Sequence, residues 1–452
     1  MHDNTPEIEA TIRELARLSM DRLASHPSLD GTATPMQLES AAGKTITPSG
    51  VGAPEAVRLW TDVLAPACIT VDHPRYLSFI PAAPTKLAAA FDMLVGTSNV
   101  YAGSWLEGSG AAFAENEALR WIADLAGLPV TSGGAFVQGG TIGNLSALVA
   151  AREAAKRKRS TVPRRWAVCV TDETHSSVMH ALRVVMDVDV VNVEGDARGR
   201  MTGAALRDTV NGLPASRREG IFAVVATAGT TNLGIVDDIA GIGEVARENG
   251  WWLHVDGAYG GAGLAAPSVR PLYDGIEAAD SFIVDPHKWL FAPFDCCALL
   301  YRDPALAKAA HTQHAGYLEP VLAESAWNPS DYAIQLTRRA RGLPFWFSLA
   351  VHGTDAYRDA IEKTLSTARA AAEMIRRADH VALLVEPDLT VLTFERIGWR
   401  AGDYEQWSDE LLKSQLAFVT PTSHRGRICT RFAIVNPTTS ENDLRLILDS
   451  MR

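Results

Sequence analysis

Cysteine is scarce in this sequence of 452 residues: there are five, at Cys68, Cys169, Cys296, Cys297 and Cys429, none in a CxxC spacing. So odd and unpatterned a set speaks against both a disulfide framework and a zinc site, so no metal is expected and the thiols should be buried small hydrophobes. Long apolar runs are missing too. No stretch approaches the roughly 18 to 20 residues needed to span a bilayer, and the opening MHDNTPEIEATIRELARL is too acidic and polar for a secretory signal. A cytoplasmic location with no membrane partner is therefore expected. Positive charge is in deficit, with a formal net charge of -11, which argues against a nucleic-acid partner because phosphate backbones need a concentrated basic face. The single basic cluster, residues 156 to 159, suits the C-terminal end of a helix, where cations complement the dipole. Internal repeats and low-complexity segments are absent.

What is present is an ordinary globular composition, 47% hydrophobic and 21% charged, long enough for a large core with satellites. Residues 7 to 24 set Ile8, Ile12, Leu15, Leu18 and Leu23 at helical spacing, predicting an amphipathic helix whose apolar stripe needs a partner, such as another subunit. Residues 1 to 85 read as an N-terminal arm of helices and Pro- and Gly-rich loops. Residues 86 to 345 alternate helices with short apolar strands, the pattern of a mostly parallel sheet covered on both faces, hence an α/β large domain. WAVCVT (166 to 171), IFAVVAT (221 to 227), WWLHVD (251 to 256) and SFIVD (281 to 285) are its clearest strands. Residues 346 to 452 predict a small α+β domain, with a long helix through Ala350 to Arg377 and strands VLTFER (391 to 396) and RICTRFAIV (427 to 435).

Ligands of open α/β sheets bind beyond the carboxyl ends of the strands, so the residues that follow each strand carry the chemistry. The first strand leads to Asp172 and His175, the second to Gly229, Thr230 and Thr231; the third ends on Asp256 and the fourth on Asp285, with Pro286, His287 and Lys288 behind it. Gly139, Gly140 and Thr141 precede a helical stretch, where free N–H groups and the helix dipole favour an anion such as a phosphate; a tight turn is the plainer reading. Lys288 leaves a buried strand, and semi-burial predicts a lowered pKa and hence the neutral amine that attack on an aldehyde requires; a snorkelling surface lysine is the plainer reading. Asp256, amid apolar surface, needs a cation or several donors, met by a protonated ring nitrogen or by a structural arginine or N-cap. His175 could lie flat on a planar ring or exchange protons near neutral pH; a satisfied loop histidine is the plainer reading. One ligand with a phosphate, a cationic ring nitrogen and an aldehyde accounts for all of these together.

In order, QGGTIGN, THSSVMHA, ATAGTTNLG, HVDGAYGG and VDPHKWL resemble the group II decarboxylases that use pyridoxal 5'-phosphate (PLP), the family of aromatic amino acid, tryptophan and glutamate decarboxylases, from about residue 60 to 350. The resemblance implies PLP fold type I, the large-domain architecture of aspartate aminotransferase, and a homodimer with active sites at the interface. It makes Lys288 the Schiff-base lysine, Asp256 the partner of the pyridine nitrogen and His175 the ring stacked on the cofactor. It also implies Thr231 and Ala258 near the ring, and Gly139, Gly140, Thr141, Asp285 and His287 near the phosphate. HTQHAGYLEP matches the family's catalytic loop, with Tyr317 as proton donor to Cα. The chain departs from the common pattern in carrying Thr-Ile-Gly-Asn where many members have Ser-Glu-Ala-Asn.

PRYLSFIPA is similar to the substrate strip of the aromatic enzymes, which implies Phe79, Ile80 and Pro81 in the pocket, with Tyr101 and Trp105 from the partner subunit; core packing is the alternative for all five. An apolar pocket favours an aromatic or bulky aliphatic L-amino acid over an acidic one. The rival readings are a decarboxylating aldehyde synthase, an aminotransferase, and a silent PLP-binding scaffold. Retention of His175 with Tyr317 weighs against the first, the His287-Lys288-Trp289 string against the second, and the complete lysine, aspartate and histidine set against the third.

Overall fold

Strand Ile221–Thr227 is buried along its whole length, as an unbroken apolar run predicts for a strand covered on both faces. The computed structural model describes residues 2–25, 27–314 and 327–452. Its large sheet comprises β1 (Gly133–Val137), β2 (Ala167–Val170), β3 (Asp189–Asn192), β4 (Ile221–Thr227), β5 (Trp252–Asp256), β6 (Ser281–Val284) and β7 (Cys297–Tyr301), in the order β1-β7-β6-β5-β4-β2-β3. Neighbouring strands from β3 to β6 pair in parallel, whereas β7 runs antiparallel to both β6 and β1. The four expected strands are all present, and the sheet is mostly parallel as expected.

Period-2 alternation sorts the side chains of β5. Leu253 and Val255 enter one core, with Phe282 and the buried face of helix Ile239–Asn249; Trp252 enters the other, with Ala147, Leu148 and Ala151 of the helix that follows β1. Each such buried aliphatic side chain contributes roughly 1.5 to 3 kcal/mol.

The N-terminal arm consists of α1 (Pro6–Ala24), α2 (Pro35–Ala42) and α3 (Ala53–Leu59). Thr5 caps α1 and Pro6 opens it, yet none of its residues is buried: Ile8, Ile12 and Leu15 face outward. Next come α4 (Lys86–Ser98), α5 (Trp105–Leu125) and α6 (Gly140–Lys158), and α6 carries Lys156, Arg157 and Lys158 in its last turn, as the dipole argument anticipated.

The long helix starts earlier than expected, spanning Leu343–Arg377 with a break at Gly353, whose φ of 75° lies in the left-handed region. Beyond it β8 (Val381–Leu383), β9 (Val391–Arg396), β10 (Pro421–His424) and β11 (Arg427–Ala433) form an antiparallel sheet in the order β10-β11-β9-β8. Its own core joins Leu392, Phe394 and Phe432 to Trp407 and Ile447. Four of the cysteines are buried, but Cys68 is exposed, against expectation, because it follows the short turn Ala65–Ala67 on the outer arm. No helix among the described residues is long and apolar enough to cross a membrane.

Candidate active site

A cavity of 340 Å³ opens where β4, β5 and β6 end and α6 begins. Its wall contains Gly139, Gly140, Thr141, His175, Thr231, Asp256, Ala258, Asp285, His287 and Lys288, so residues that the sequence scatters over 150 positions meet in one crevice. The turn that delivers Thr231 depends on Gly229: its φ is 101°, and an added Cβ would lie 2.8 Å from Gly260 Cα.

Asp256 is buried at the end of β5. Its Oδ1 accepts from the Ala258 backbone N–H at 3.0 Å and its Oδ2 from Asn144 Nδ2 at 2.9 Å. Two donors hold the carboxylate without neutralising it, leaving it fit to receive a cationic N–H. His175 caps the short helix after β2: its Nδ1 accepts the Ser177 backbone N–H at 3.2 Å and lies 2.9 Å from Ser177 Oγ. Burial lowers its pKa, outweighing the opposing pull of Asp256, so the ring is neutral at neutral pH with its proton on Nε2.

Lys288 Nζ lies 2.9 Å from Asp285 Oδ2, and His287 Nε2 lies 3.7 Å from the same oxygen. This corrects the expectation of a lowered lysine pKa. Burial does push Lys288 down, but the Asp285 carboxylate outweighs it and the net shift is upward; burial likewise pushes Asp285 up, and Lys288 brings it below its usual value. In the cofactor-free protein the lysine is therefore an ammonium, and forming the neutral amine requires separating it from Asp285.

The residues fit pyridoxal 5'-phosphate on evidence of the cavity itself. Three buried side-chain oxygens around it, Gln138 Oε1, Thr227 Oγ1 and Asp285 Oδ1, lack a hydrogen-bond partner among the described residues, a cost accepted where a polar ligand completes the set. Gly139 gives α6 no side-chain cap, the Gly140 N–H donates to Asp285 Oδ2 only at 3.4 Å, and Gly140 keeps the backbone open: a Cβ there would lie 3.2 Å from Ala258 Cβ. Gly139 to Thr141 could hold the phosphate, Asp256 the ring nitrogen, His175 the ring face and Lys288 the aldehyde carbon.

The other expected residues lie elsewhere. Phe79, Ile80, Pro81, Tyr101 and Trp105 do not line this cavity in the single chain. Phe79 is exposed with a φ of 54°, and its carbonyl accepts from Arg431 Nη1 at 2.9 Å; Ile80 packs on the main core. Tyr101 Oη donates to the Leu336 carbonyl at 3.1 Å, and Trp105 begins α5. Tyr317 lies outside the described residues. Conversely, Gln138, Asn144, Ser177, Thr227, Tyr259, Phe294 and Asp295 line the cavity without having been anticipated. Gln138, Asn144 and Ser177 stand inside the motifs quoted above, where a polar residue beside a Gly-rich turn is the available signal; Phe294 and Asp295 carry none.

Residues 57–397 match the family model described as the pyridoxal-dependent decarboxylase conserved domain. An aromatic-L-amino-acid decarboxylase of Bacillus atrophaeus is 29% identical over 392 residues, 84% of this chain and 80% of the relative. An L-2,4-diaminobutyrate decarboxylase of Rhizobium meliloti is 30% identical over 392 residues, 85% of this chain and 78% of the relative. The crystal structure of Oryza sativa TDC with PLP and tryptamine superposes with a TM-score of 0.88 at 23% identity, covering 100% of this chain and 99% of that one, so the fold is PLP fold type I. The chain belongs to the pyridoxal-dependent decarboxylase family, an amino acid decarboxylase that works with pyridoxal 5'-phosphate.

Proposed function

We propose that this enzyme converts an aromatic or bulky hydrophobic L-amino acid (tryptophan, phenylalanine, tyrosine or dopa) to the amine and carbon dioxide, with Lys288, Asp256 and His175 as its catalytic centre. The observation that carries the assignment is the convergence of these three side chains, from three different strand ends, on one cavity at the mouth of α6. Bound PLP supplies a ring that accepts the electron pair left when the bond from Cα to the carboxylate breaks. Asp256 keeps the ring nitrogen protonated, and the N–H groups of residues 139 to 141 anchor the phosphate with Thr231, Ala258 and His287 alongside. Lys288 would hold the cofactor through its aldehyde carbon. His175 covers the ring face with its proton on Nε2. Tyr317 delivers the proton to Cα. The remaining task of the cavity wall would be orientation, fixing which bond at Cα the bound cofactor acts on.

Support for an apolar substrate comes from Phe294 in the cavity wall, beside the His287 ring at a centroid distance of 5.1 Å; the strip Phe79, Ile80 and Pro81, outside the cavity of the single chain, enters the pocket by resemblance alone. The left-handed backbone of Phe79 is the kind of strain, about 1 to 3 kcal/mol, that clusters at functional sites. Tyr101 and Trp105 complete the pocket from a second subunit. A homodimer accounts for the exposed apolar side chains of α1, α4 and α5, including Ile12, Leu94, Leu106 and Phe113. A specific observation favours a second reading, an acidic substrate: Arg431 is buried beside the Phe79 carbonyl with no carboxylate at ion-pair distance among the described residues, and burial brings its pKa down to about 10.

PLP-loaded enzyme should release amine from at least one of tryptophan, tyrosine, phenylalanine and dopa, as read by mass spectrometry of the products. Amine from an acidic or small aliphatic amino acid alone would transfer the assignment to the second reading or beyond it, and aldehyde or keto acid would overturn amine formation.

A further inference from the structure

Behind Asp256, away from the cavity, β5 carries two more polar side chains on the same face, His254 and Trp252. His254 is fully buried in the heart of the sheet, where a polar group is costly unless every atom is paired. Its pairing is complete. Nδ1 lies 2.8 Å from Ser281 Oγ on β6, and Nε2 lies 2.8 Å from Asn144 Oδ1 on α6. Burial pushes its pKa down to about 4 against the pull of Asp256, so the ring is neutral and has one N–H to give.

The proton positions follow from which atoms can only donate or only accept. Trp252 Nε1 can only donate, so Ser281 Oγ, 2.7 Å away, accepts from it. An amide oxygen can only accept, so the His254 proton sits on Nε2 and goes to Asn144 Oδ1; Nδ1 then receives the Ser281 hydroxyl proton. This fixes the Asn144 amide with its NH2 facing the site, donating 2.9 Å to Asp256 Oδ2 and 3.3 Å to Ser177 Oγ. The Ser177 hydroxyl is left to donate to His175 Nδ1, which also receives the Ser177 backbone N–H, and the His175 proton is directed to Nε2. The same chain of bonds thus ends on the carboxylate on one branch and on the imidazole on the other.

We propose that His254 is a positioning residue that acts through Asn144, fixing the amide so that the Asp256 carboxylate and the His175 ring are presented to the cofactor as one coupled unit. Without the Nε2–H donor the Asn144 oxygen loses its hydrogen bond, the amide is held from the site side alone, and its NH2 is no longer fixed in place against Asp256 Oδ2 and Ser177 Oγ. The inference rests on the reading of Asp256 and His175 as cofactor-holding groups.

Three proteins test it: the wild type, His254→Leu, which removes the donor, and His254→Gln, whose side-chain NH2 replaces Nε2–H. The readouts are the PLP dissociation constant by titration of apoprotein, the visible absorbance spectrum of the bound cofactor at fixed pH, kcat and KM, and the melting temperature. The leucine variant is expected to bind PLP about tenfold more weakly, with an altered visible band, and to lose about tenfold in kcat with KM within about twofold; a lost hydrogen bond to a charged group has this size. The glutamine variant is expected within about twofold of wild type in binding, with the wild-type spectrum. Equal spectra and PLP affinities in all three proteins would overturn the proposal, as would equal loss in both variants, which is the signature of a merely structural histidine. Should the leucine variant not fold, Ser281→Ala withdraws the donor to His254 Nδ1 and is expected to shift affinity and spectrum in the same direction; no shift there would overturn the proposal equally. Failure of the wild type itself to bind PLP would instead overturn the reading of the site.

Discussion

Lys288→Ala is expected to cut kcat/KM for decarboxylation by about a thousandfold or more, the loss of the amine proposed to hold the cofactor. The expectation follows from position. Lys288 stands four residues past the end of β6 in a turn closed by its own N–H to the Asp285 carbonyl at 2.9 Å, with its side chain in the cavity wall. The substitution strands Asp285, whose Oδ1 already lacks a partner among the described residues. Lys288 is what holds the Asp285 pKa below its usual value, so without it burial prevails and the carboxylate takes up a proton more readily. In wild-type apoprotein the depressed Asp285 pKa contributes stability that is present above the unfolded carboxylate value and fades as pH falls through the folded one. The raised Lys288 pKa contributes stability that is present below the unfolded lysine value and fades as pH rises through the folded one. Denaturant melts of apoprotein should therefore show the variant losing most, relative to wild type, between those limits, near neutral pH. Retained turnover together with a normal visible cofactor band would refute the role given to Lys288.

Glu115→Ala is expected to destabilise the fold by about 3 to 5 kcal/mol, the cost of leaving one member of a buried ion pair uncompensated. Glu115 on α5 and Arg338 are both buried and 2.8 Å apart; Glu115 also accepts the Gly342 N–H at 2.8 Å, and Arg338 donates to the carbonyls of Ala102 and Phe136. The pair thus ties α5, β1, the start of the long helix and the loop carrying Tyr101. Urea unfolding should show the loss as a lower midpoint at unchanged slope. If Tyr101 serves a partner's pocket, KM should rise in the same variant while PLP affinity holds. A change below about 1 kcal/mol would show that the pair is dispensable.

The site was legible where a motif and a strand end coincide. Asp256, Asp285 and Lys288 follow short, mostly apolar runs whose closing aspartate marks the carboxyl edge, and His175 and Gly139 to Thr141 stand beside recognisable turns. The antiparallel β7 was not, because CALLY is as apolar as its neighbours and an apolar run carries no sign of its direction. β1 and β3 were missed for composition, one beginning Gly-Gly and the other mixing Asp and Asn with two valines. The Lys288 pKa was misjudged because its deciding neighbour, Asp285, was read as a phosphate contact and not as the lysine's counter-ion. His254 passed as one more strand residue: its role needs Asn144, 110 positions away, and only the packing of α6 on β5 brings them together. Tyr101 and Trp105 lie outside the cavity of the single chain, so nothing within one chain connects them to it.

The most direct test of the account is to load the protein with PLP, reduce it with borohydride so that the cofactor is fixed to whichever side chain holds it, and map the modified peptide by mass spectrometry. The account predicts a single modified peptide spanning VDPHKWL with the added mass on Lys288. Label on another lysine, or no label on a protein that decarboxylates, would contradict it.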